Sequence, residues 1–478
     1  MAESWVNLAE RIGSDLHLEL SGAGGRRAVL IRALRDAVRE GRLAPGTRLP
    51  PYRSLAADLG IARNTVADAY AELVAEGWLT ARQGSGTRVA DRAAPPARSR
   101  VPKRAPSRPA TPAPPAYDLR QGRPDPASFP RTAWLAAARR ALNSAPNEAF
   151  GPGDPQGRVE LRRALAGYLG RVRGVRTDPE RIVVCSGVAH ALRLLFGSGG
   201  GGLLRGPLAV ESYGLGFHRS ILAAAGVRTV PLGLDEKGAR IEELTEGRRV
   251  RGVLLTPAHQ FPTGGPLHPA RRAAVIDWAR ARGGLVLEDD YDGEFRYDRE
   301  PVGAVQGLDP ERVVYMGSVS KSLSPGVRLG WLVLPEHLID GVLAAKGERE
   351  AWAGVTDQLT LAELIESGHY DRHVRRMRQR YRTRRDQLVA VLATHAPHIS
   401  PTGVAAGLHA VLRLPPGTEQ STAKAAAWQG LALESLAEFR HPDATMPTSD
   451  GLVVGYSTPP EHAYGAALEA LCRALPPA

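Results

Sequence analysis

The stretch VVYMGSVSKSLSPGVRLGWLVLP, residues 313–335, sets two apolar runs of strand length around a polar loop. In that loop Lys321 stands among small hydroxyl residues, and Arg328 follows it seven positions later. Working outward, RIVVCSG (181–187), PLAVES (207–212), RGVLLTP (251–257) and GGLVLEDDY (283–291) are further strand-like runs, with helical patterns between most of them. Apolar strands alternating with helices predict a largely parallel sheet covered on both faces. Ligands of such sheets sit beyond the carboxyl ends of the strands, where each polar motif of this chain falls.

The 478 residues exceed one ordinary core and predict two or three domains. No apolar run reaches bilayer length, and the opening MAESWVNLAE lacks the basic-then-apolar order of a secretory signal, so a cytoplasmic protein is expected. Cys185 and Cys472 lie far apart without metal-ligand spacing, so neither a disulfide framework nor a zinc site is indicated and ordinary buried thiols are expected. The formal net charge is +12, of which residues 1–90 hold +2, residues 91–116 hold +5 and the remaining 362 residues hold +5. More than half of the excess lies in the first quarter of the chain, where a phosphate backbone is the natural partner.

Residues 91–116, with eight prolines and six basic residues, cannot bury enough apolar surface to order themselves and predict an extended linker. The expected domains are therefore 1–90 and 117–478. Before the linker, RRAVLIRALRDAVREGRL, SLAADLG and NTVADAYAELVAEGW have helical spacing, and WLTARQGSGTRVA reads as two short strands around a glycine-rich turn. Three helices and a hairpin are the order of a winged helix-turn-helix. Its DNA-contacting positions would be Arg63, Asn64 and Thr65 at the start of the recognition helix, Arg53 before it, and Arg82, Gly84 and Ser85 on the wing.

Lys321 follows a strand, at the rim where cofactors bind; a lysine whose amine forms a Schiff base is the device that holds pyridoxal phosphate, and it needs a phosphate cup, a carboxylate for the pyridine nitrogen and a face to stack on. Ser318, Ser320 and the planar fork of Arg328 suit the phosphate. So does CSGVAHALRLL, where a glycine opens a helix whose first N–H groups, around Val188 and Ala189, face an anion. An aspartate of EDDYD (288–292) would keep the pyridine protonated, and Tyr291 would donate to the ring hydroxyl.

TPAHQFPTGG, LVLEDDYDGEFRY and VVYMGSVSKSLSPGVRLGWLVLP, as spaced here, resemble the aminotransferase-like half of the MocR-type (GabR-like) branch of the GntR regulators, and LPPYRSLAADLGIARNTVADAYAELVAEGWLTARQGSGTRV resembles the GntR winged helix. The resemblance implies a fold-type I aminotransferase-like α/β domain with a smaller C-terminal α+β subdomain, and a homodimer. It makes Lys321 the Schiff-base lysine, Asp289 the pyridine partner with Asp290 as second choice, Tyr291 the ring-hydroxyl contact, and Ser318, Ser320 and Arg328 the phosphate contacts. It implies promoter DNA as partner, with pyridoxal phosphate itself or a small amine as effector.

Measured against such aminotransferases the chain departs at four places. Phe261 stands where an asparagine precedes PTG. Leu215 stands at the ring-stacking aromatic, with Tyr213 the nearest substitute, and Pro152 at a cross-subunit tyrosine, with Phe150 nearest. Val453 stands at the arginine that pairs with a substrate carboxylate; Arg219, His218 and His259 are near enough to replace it. Losing such a charge-assisted pair costs about 1.5–3 kcal/mol, so ordinary transamination is not expected. A working aminotransferase with a DNA-binding appendage, and a scaffold that binds no cofactor, are the competing readings.

Overall fold

Consecutive apolar residues of the strand runs point to opposite faces of one sheet, and helices cover both. A computed structural model describes residues 24–82, 86–91, 115–197, 202–245, 250–297, 302–347 and 353–477. They fall into two compact units, a head up to residue 91 and a body from residue 115.

In the head, helices Arg26–Arg39 (α1), Tyr52–Asp58 (α2) and Arg63–Ala75 (α3) precede the antiparallel strands Leu79–Arg82 (β1) and Gly86–Val89 (β2). Helix α3 buries Val66, Ala69, Tyr70 and Leu73, one face at helical spacing, against Leu30, Leu34 and Leu55. The opposite face is left polar. The turn between α2 and α3 runs through Gly60 at φ 62°, a conformation glycine adopts without strain.

The body is built on a seven-stranded sheet of Ile182–Cys185 (β3), Leu208–Glu211 (β4), Thr229–Leu232 (β5), Gly252–Leu255 (β6), Leu285–Asp289 (β7), Val313–Ser318 (β8) and Gly330–Val333 (β9), in the order β3-β9-β8-β7-β6-β4-β5. Strand β9 is antiparallel to both neighbours and the remaining pairings are parallel. The sequence reading missed β5. Pro231 withholds a donor there, and such a strand is tolerated at a sheet edge.

The body helices are Arg131–Ser144 (α4), Val159–Arg173 (α5), Val188–Phe196 (α6), Gly216–Ala224 (α7), Pro269–Arg282 (α8), Ile339–Lys346 (α9), Val355–Glu366 (α10), His369–His395 (α11), Glu419–Trp428 (α12) and Glu461–Ala474 (α13). Val183, Leu287, Val314 and Met316 pack toward α6, α7 and α9. Val184, Tyr315 and Trp331 pack toward α5, α10 and α11, and Val253 and Val286 toward α8. Near the C-terminus, Pro401–Thr402 (β10), His409–Arg413 (β11), Glu434–Ser435 (β12) and Gly451–Gly455 (β13) form an antiparallel sheet in the order β10-β11-β13-β12. Among the described residues no helix is long and apolar enough to cross a membrane, and both cysteines are free thiols.

Candidate functional site

The carboxyl ends of β3, β4, β6, β7 and β8 carry the polar motifs to one rim of the sheet. Beyond β8, the loop bearing Lys321 is fixed by two buried contacts: Ser322 Oγ to Tyr370 Oη at 2.7 Å, and His373 Nε2 to the Ser322 carbonyl at 2.7 Å. Lys321 is half-buried and its Nζ donates to the Gly122 carbonyl at 2.7 Å. A Cβ on Gly122 would lie 2.6 Å from that nitrogen at a φ of 68°, so any other residue there would be strained and would push the lysine's tip aside. Burial lowers the Lys321 pKa, opposed by the charges of Asp292 and Asp289, and a lowered value favours the neutral, nucleophilic amine.

The two aspartates of EDDYD have different fates. Asp290 is locked in a buried ion pair: Arg173 donates through Nε at 2.7 Å and Nη2 at 3.1 Å, and Tyr315 Oη donates at 2.7 Å. Asp289 is equally buried, yet its Oδ1 accepts no hydrogen bond from any described residue, and its Oδ2 faces His218 Nδ1 at 3.8 Å. Burial, then the charge of Asp290, push the Asp289 carboxyl up to about 7. Burial, with Lys321 and Arg219, holds His218 down at about 4, so it faces Asp289 as a neutral ring.

Asp289, His218 and Tyr291 line a cleft with Tyr213, Leu215 and Phe261. Tyr291 Oη lies 2.9 Å from His259 Nδ1, which also meets Asp292 Oδ2 at 2.8 Å. His259 is therefore engaged with Asp292 and Tyr291. Arg219 is turned to backbone, donating to the Gly214, Phe439 and Arg440 carbonyls at 2.8, 3.1 and 3.3 Å. Val453 is fully buried on β13 in an apolar cluster with Tyr213, Phe261, Val411, Leu436 and Phe439. Phe150 is exposed.

Ser318 and Ser320 are half-buried, with the Ser320 N–H 3.4 Å from Ser318 Oγ. Arg328 is exposed at φ 57°, the one non-glycine residue at positive φ among those described. Such a backbone is retained where the surroundings impose it, often at ligand clamps. In α6 the hydrogen bonds begin with His190 and Ala191, both onto the Gly187 carbonyl, which leaves the Val188 and Ala189 N–H groups ahead of the ladder. The two halves converge, because a Cβ on Gly330 would come within 2.7 Å of Gly187 Cα, and the charge of Arg328 is felt at His190.

In the head, Arg53 is exposed on α2, and Arg63 and Asn64 are exposed in the first turn of α3. Thr65 is half-buried, Arg63 lies 5.8 Å over the Tyr52 ring, and Arg82 ends β1 exposed. Gly84 and Ser85 lie outside the described residues.

Sequence reasoning did not single out Gly122, Asp292 or Glu211. Glu211 is buried under the cleft, accepts from Thr256 N at 3.1 Å and Oγ1 at 2.6 Å, and is pushed up to about 7 by burial. Its place at the end of PLAVES was the available signal. Gly122 had none, lying 199 residues from the lysine it meets.

Residues 27–89 match the model for bacterial regulatory proteins of the gntR family, and residues 117–444 that for aminotransferase class I and II. The probable rhizopine catabolism regulatory protein MocR of Rhizobium meliloti is 32% identical over 90% of this chain and 89% of its own. The pyridoxine biosynthesis transcriptional regulator PdxR of Corynebacterium glutamicum is 33% identical over 80% and 82%. Among solved structures, the alpha-aminoadipate aminotransferase LysN of Thermus thermophilus, complexed with N-(5'-phosphopyridoxyl)-L-leucine, superposes with TM-score 0.65 over 75% of this chain and 91% of that one, at 24% identity, a likeness of fold. The matched head, the matched body and relatives that span nearly the whole chain agree, and the protein belongs to the MocR-type branch of the GntR family, transcription regulators that join a winged helix-turn-helix to an aminotransferase-like domain.

Proposed function

We propose that the body holds pyridoxal phosphate and that its occupancy, by the cofactor alone or with a small amine, sets how the head binds promoter DNA. The observation that carries this reading is Asp289 Oδ1, a buried acceptor without a partner among the described residues, in the lining of the cleft and within reach of the Lys321 charge. A buried carboxylate left unpaired is costly unless a ligand completes it, and a protonated pyridine nitrogen is the matching donor.

Lys321 would hold the cofactor's carbonyl carbon, Asp289 its ring nitrogen and Tyr291 its ring oxygen. Tyr213 would border the ring. Ser318, Ser320, Arg328 and the α6 N-terminus at Val188 and Ala189 would receive the phosphate, since backbone N–H groups, hydroxyls and a guanidinium are its usual partners. When bound, the group supplies an aldehyde that condenses reversibly with primary amines, and an electron-withdrawing ring.

The cluster around Val453 disfavours an effector bearing an α-carboxylate, because burying that charge there without a cation is expensive. Arg440 does not supply one through Nη2, which donates to the Ala444 and Met446 carbonyls at 2.7 and 2.6 Å. Regulation would follow from a difference in cofactor affinity between two arrangements of the protein, each with its own affinity for DNA. A homodimer with paired winged helices would read two half-sites.

Footprinting on promoter DNA upstream of its own gene, with and without pyridoxal phosphate, tests the proposal. Protection should change with the cofactor, and Lys321→Ala should both abolish the cofactor's visible band and remove that change. Identical protection under all conditions, or a protein that stays colourless, would overturn it.

A further inference from the structure

Tyr291 is backed by a buried pair that the cofactor reading leaves without a task. His259 and Asp292 are 3% and 2% exposed, and His259 Nδ1 lies 2.8 Å from Asp292 Oδ2 and 2.9 Å from Tyr291 Oη. One nitrogen thus meets a carboxylate and a phenol together. A nitrogen that faces a carboxylate carries the proton, so Nδ1–H donates to Asp292 and, as a three-centre bond, to the Tyr291 oxygen. The phenol also hydrogen-bonds Asp292, so its hydrogen rests on that carboxylate until a ligand oxygen competes for it.

The surroundings confine the arrangement. Gly407 packs behind it, where a Cβ would come within 2.4 Å of His259 and 2.5 Å of Asp292. The His409 ring stands 5.5 Å from that of His259, and its Nε2 meets the Pro262 carbonyl at 3.1 Å. Burial keeps His409 neutral, with a pKa of about 3, so it brings no second cation. The titratable groups whose charges reach Tyr291 are Asp289 and Asp292 from its own strand end and Glu211 from β4; His259 from the loop after β6 bonds it, His218 shares its cleft, and His409 and Lys321 act on this cluster in turn. Asp292 is the largest charge acting on both Tyr291 and Lys321.

We propose that His259 and Asp292 are positioning residues that hold the Tyr291 phenol protonated and aimed at the ring oxygen of the bound cofactor, and so set the pH at which that cofactor changes its protonation. The proposal rests on the reading of the cleft as a pyridoxal phosphate site. The Asp292 charge opposes ionisation of the phenol, and the His259 bond fixes its direction.

The test is a pH titration of the visible band of the full-length protein reconstituted with pyridoxal phosphate. Asp292→Asn should move the midpoint down by about one pH unit or more, as expected when a carboxylate within a few ångströms is neutralised. His259→Leu removes the aim of the phenol, and losing that donor to the deprotonated ring oxygen should move the midpoint up, whereas His259→Asn, whose amide donates from the place of Nδ1–H, should hold it near the wild-type value. In a Tyr291→Phe background the effect of His259→Leu should vanish, and that of Asp292→Asn should shrink to its direct action on the Lys321 nitrogen.

An unmoved midpoint in His259→Leu, or an equal movement of it in the Tyr291 and Phe backgrounds, overturns the proposal, the second because His259 would then act without the phenol. Circular dichroism checks each fold, and if Asp292→Asn does not fold, the Leu and Asn variants of His259 decide alone. A wild-type protein that takes up no colour refutes the cofactor reading and this inference with it. A coloured one whose midpoint ignores these residues refutes the inference only.

Discussion

Replacing Asp289 by asparagine keeps the shape of a buried side chain and removes its charge, and the consequences for the free and loaded protein have opposite signs. Burial raises the Asp289 carboxyl from an ordinary 3.8 to about 7. Folding therefore favours its protonated form, and the wild type loses stability as pH rises from about 4 to 7, with no further loss above. At pH 8 the whole term is present, about 4 kcal/mol. The asparagine amide lacks a partner at the same spot and returns about 1–3 kcal/mol of that. Cofactor-free Asp289→Asn should thus be more stable than wild type by about 1–3 kcal/mol at pH 8, an advantage gone by pH 5. With pyridoxal phosphate the sign reverses, because a charge-assisted bond worth about 1.5–3 kcal/mol is lost and the dissociation constant should rise about 10- to 150-fold. Calorimetric melting of the full-length protein from pH 5 to 8, with and without cofactor, measures both. Unchanged cofactor affinity, or a cofactor-free variant less stable than wild type at pH 8, would refute the reasoning.

Gly122→Ala sets a Cβ 2.6 Å from Lys321 Nζ at a φ of 68°, so it should displace the lysine, slow uptake of the cofactor band and cost about 1 kcal/mol or more in the body's melting while DNA binding by the head persists. Arg63→Ala should weaken specific DNA binding by about 1–3 kcal/mol while leaving random-sequence binding nearly unchanged; equal losses on both, measured by fluorescence anisotropy, would assign the side chain to the phosphate backbone. Arg173→Met strands the buried Asp290 carboxylate and should destabilise the body by about 3–5 kcal/mol in chemical denaturation, far more than a change at the exposed Arg139.

Much of the architecture was legible because burial leaves a periodic trace. The runs ending at Cys185, Glu211, Leu255, Asp289 and Ser318 are unbroken apolar stretches, as strands covered on both faces must be, and each ends where its motif begins. Strand β5 escaped because Pro231 and a half-buried edge erase that trace. The reversed direction of β9 was equally invisible, since an apolar run reads the same in a parallel or an antiparallel pairing. In the site, Lys321, Asp289 and Tyr291 are local signals, while His218 and His259 were legible only as nearby polar residues.

From the order of its residues alone the chain determines a DNA-reading head, a basic proline-rich stretch after it and a body whose strand ends carry an amine, paired carboxylates and a phosphate-suited loop, because composition, periodicity and short motifs act over a few residues. Tertiary structure alone decided which carboxylate remains free: Arg173 and Tyr315, 117 and 25 residues away, consume Asp290 and leave Asp289. It also decided that Gly122 must admit the lysine and that His259 faces Asp292 and Tyr291 together. Hydrogen-bond partners and desolvation belong to neighbours in space, which the topology of the sheet selects from distant parts of the chain.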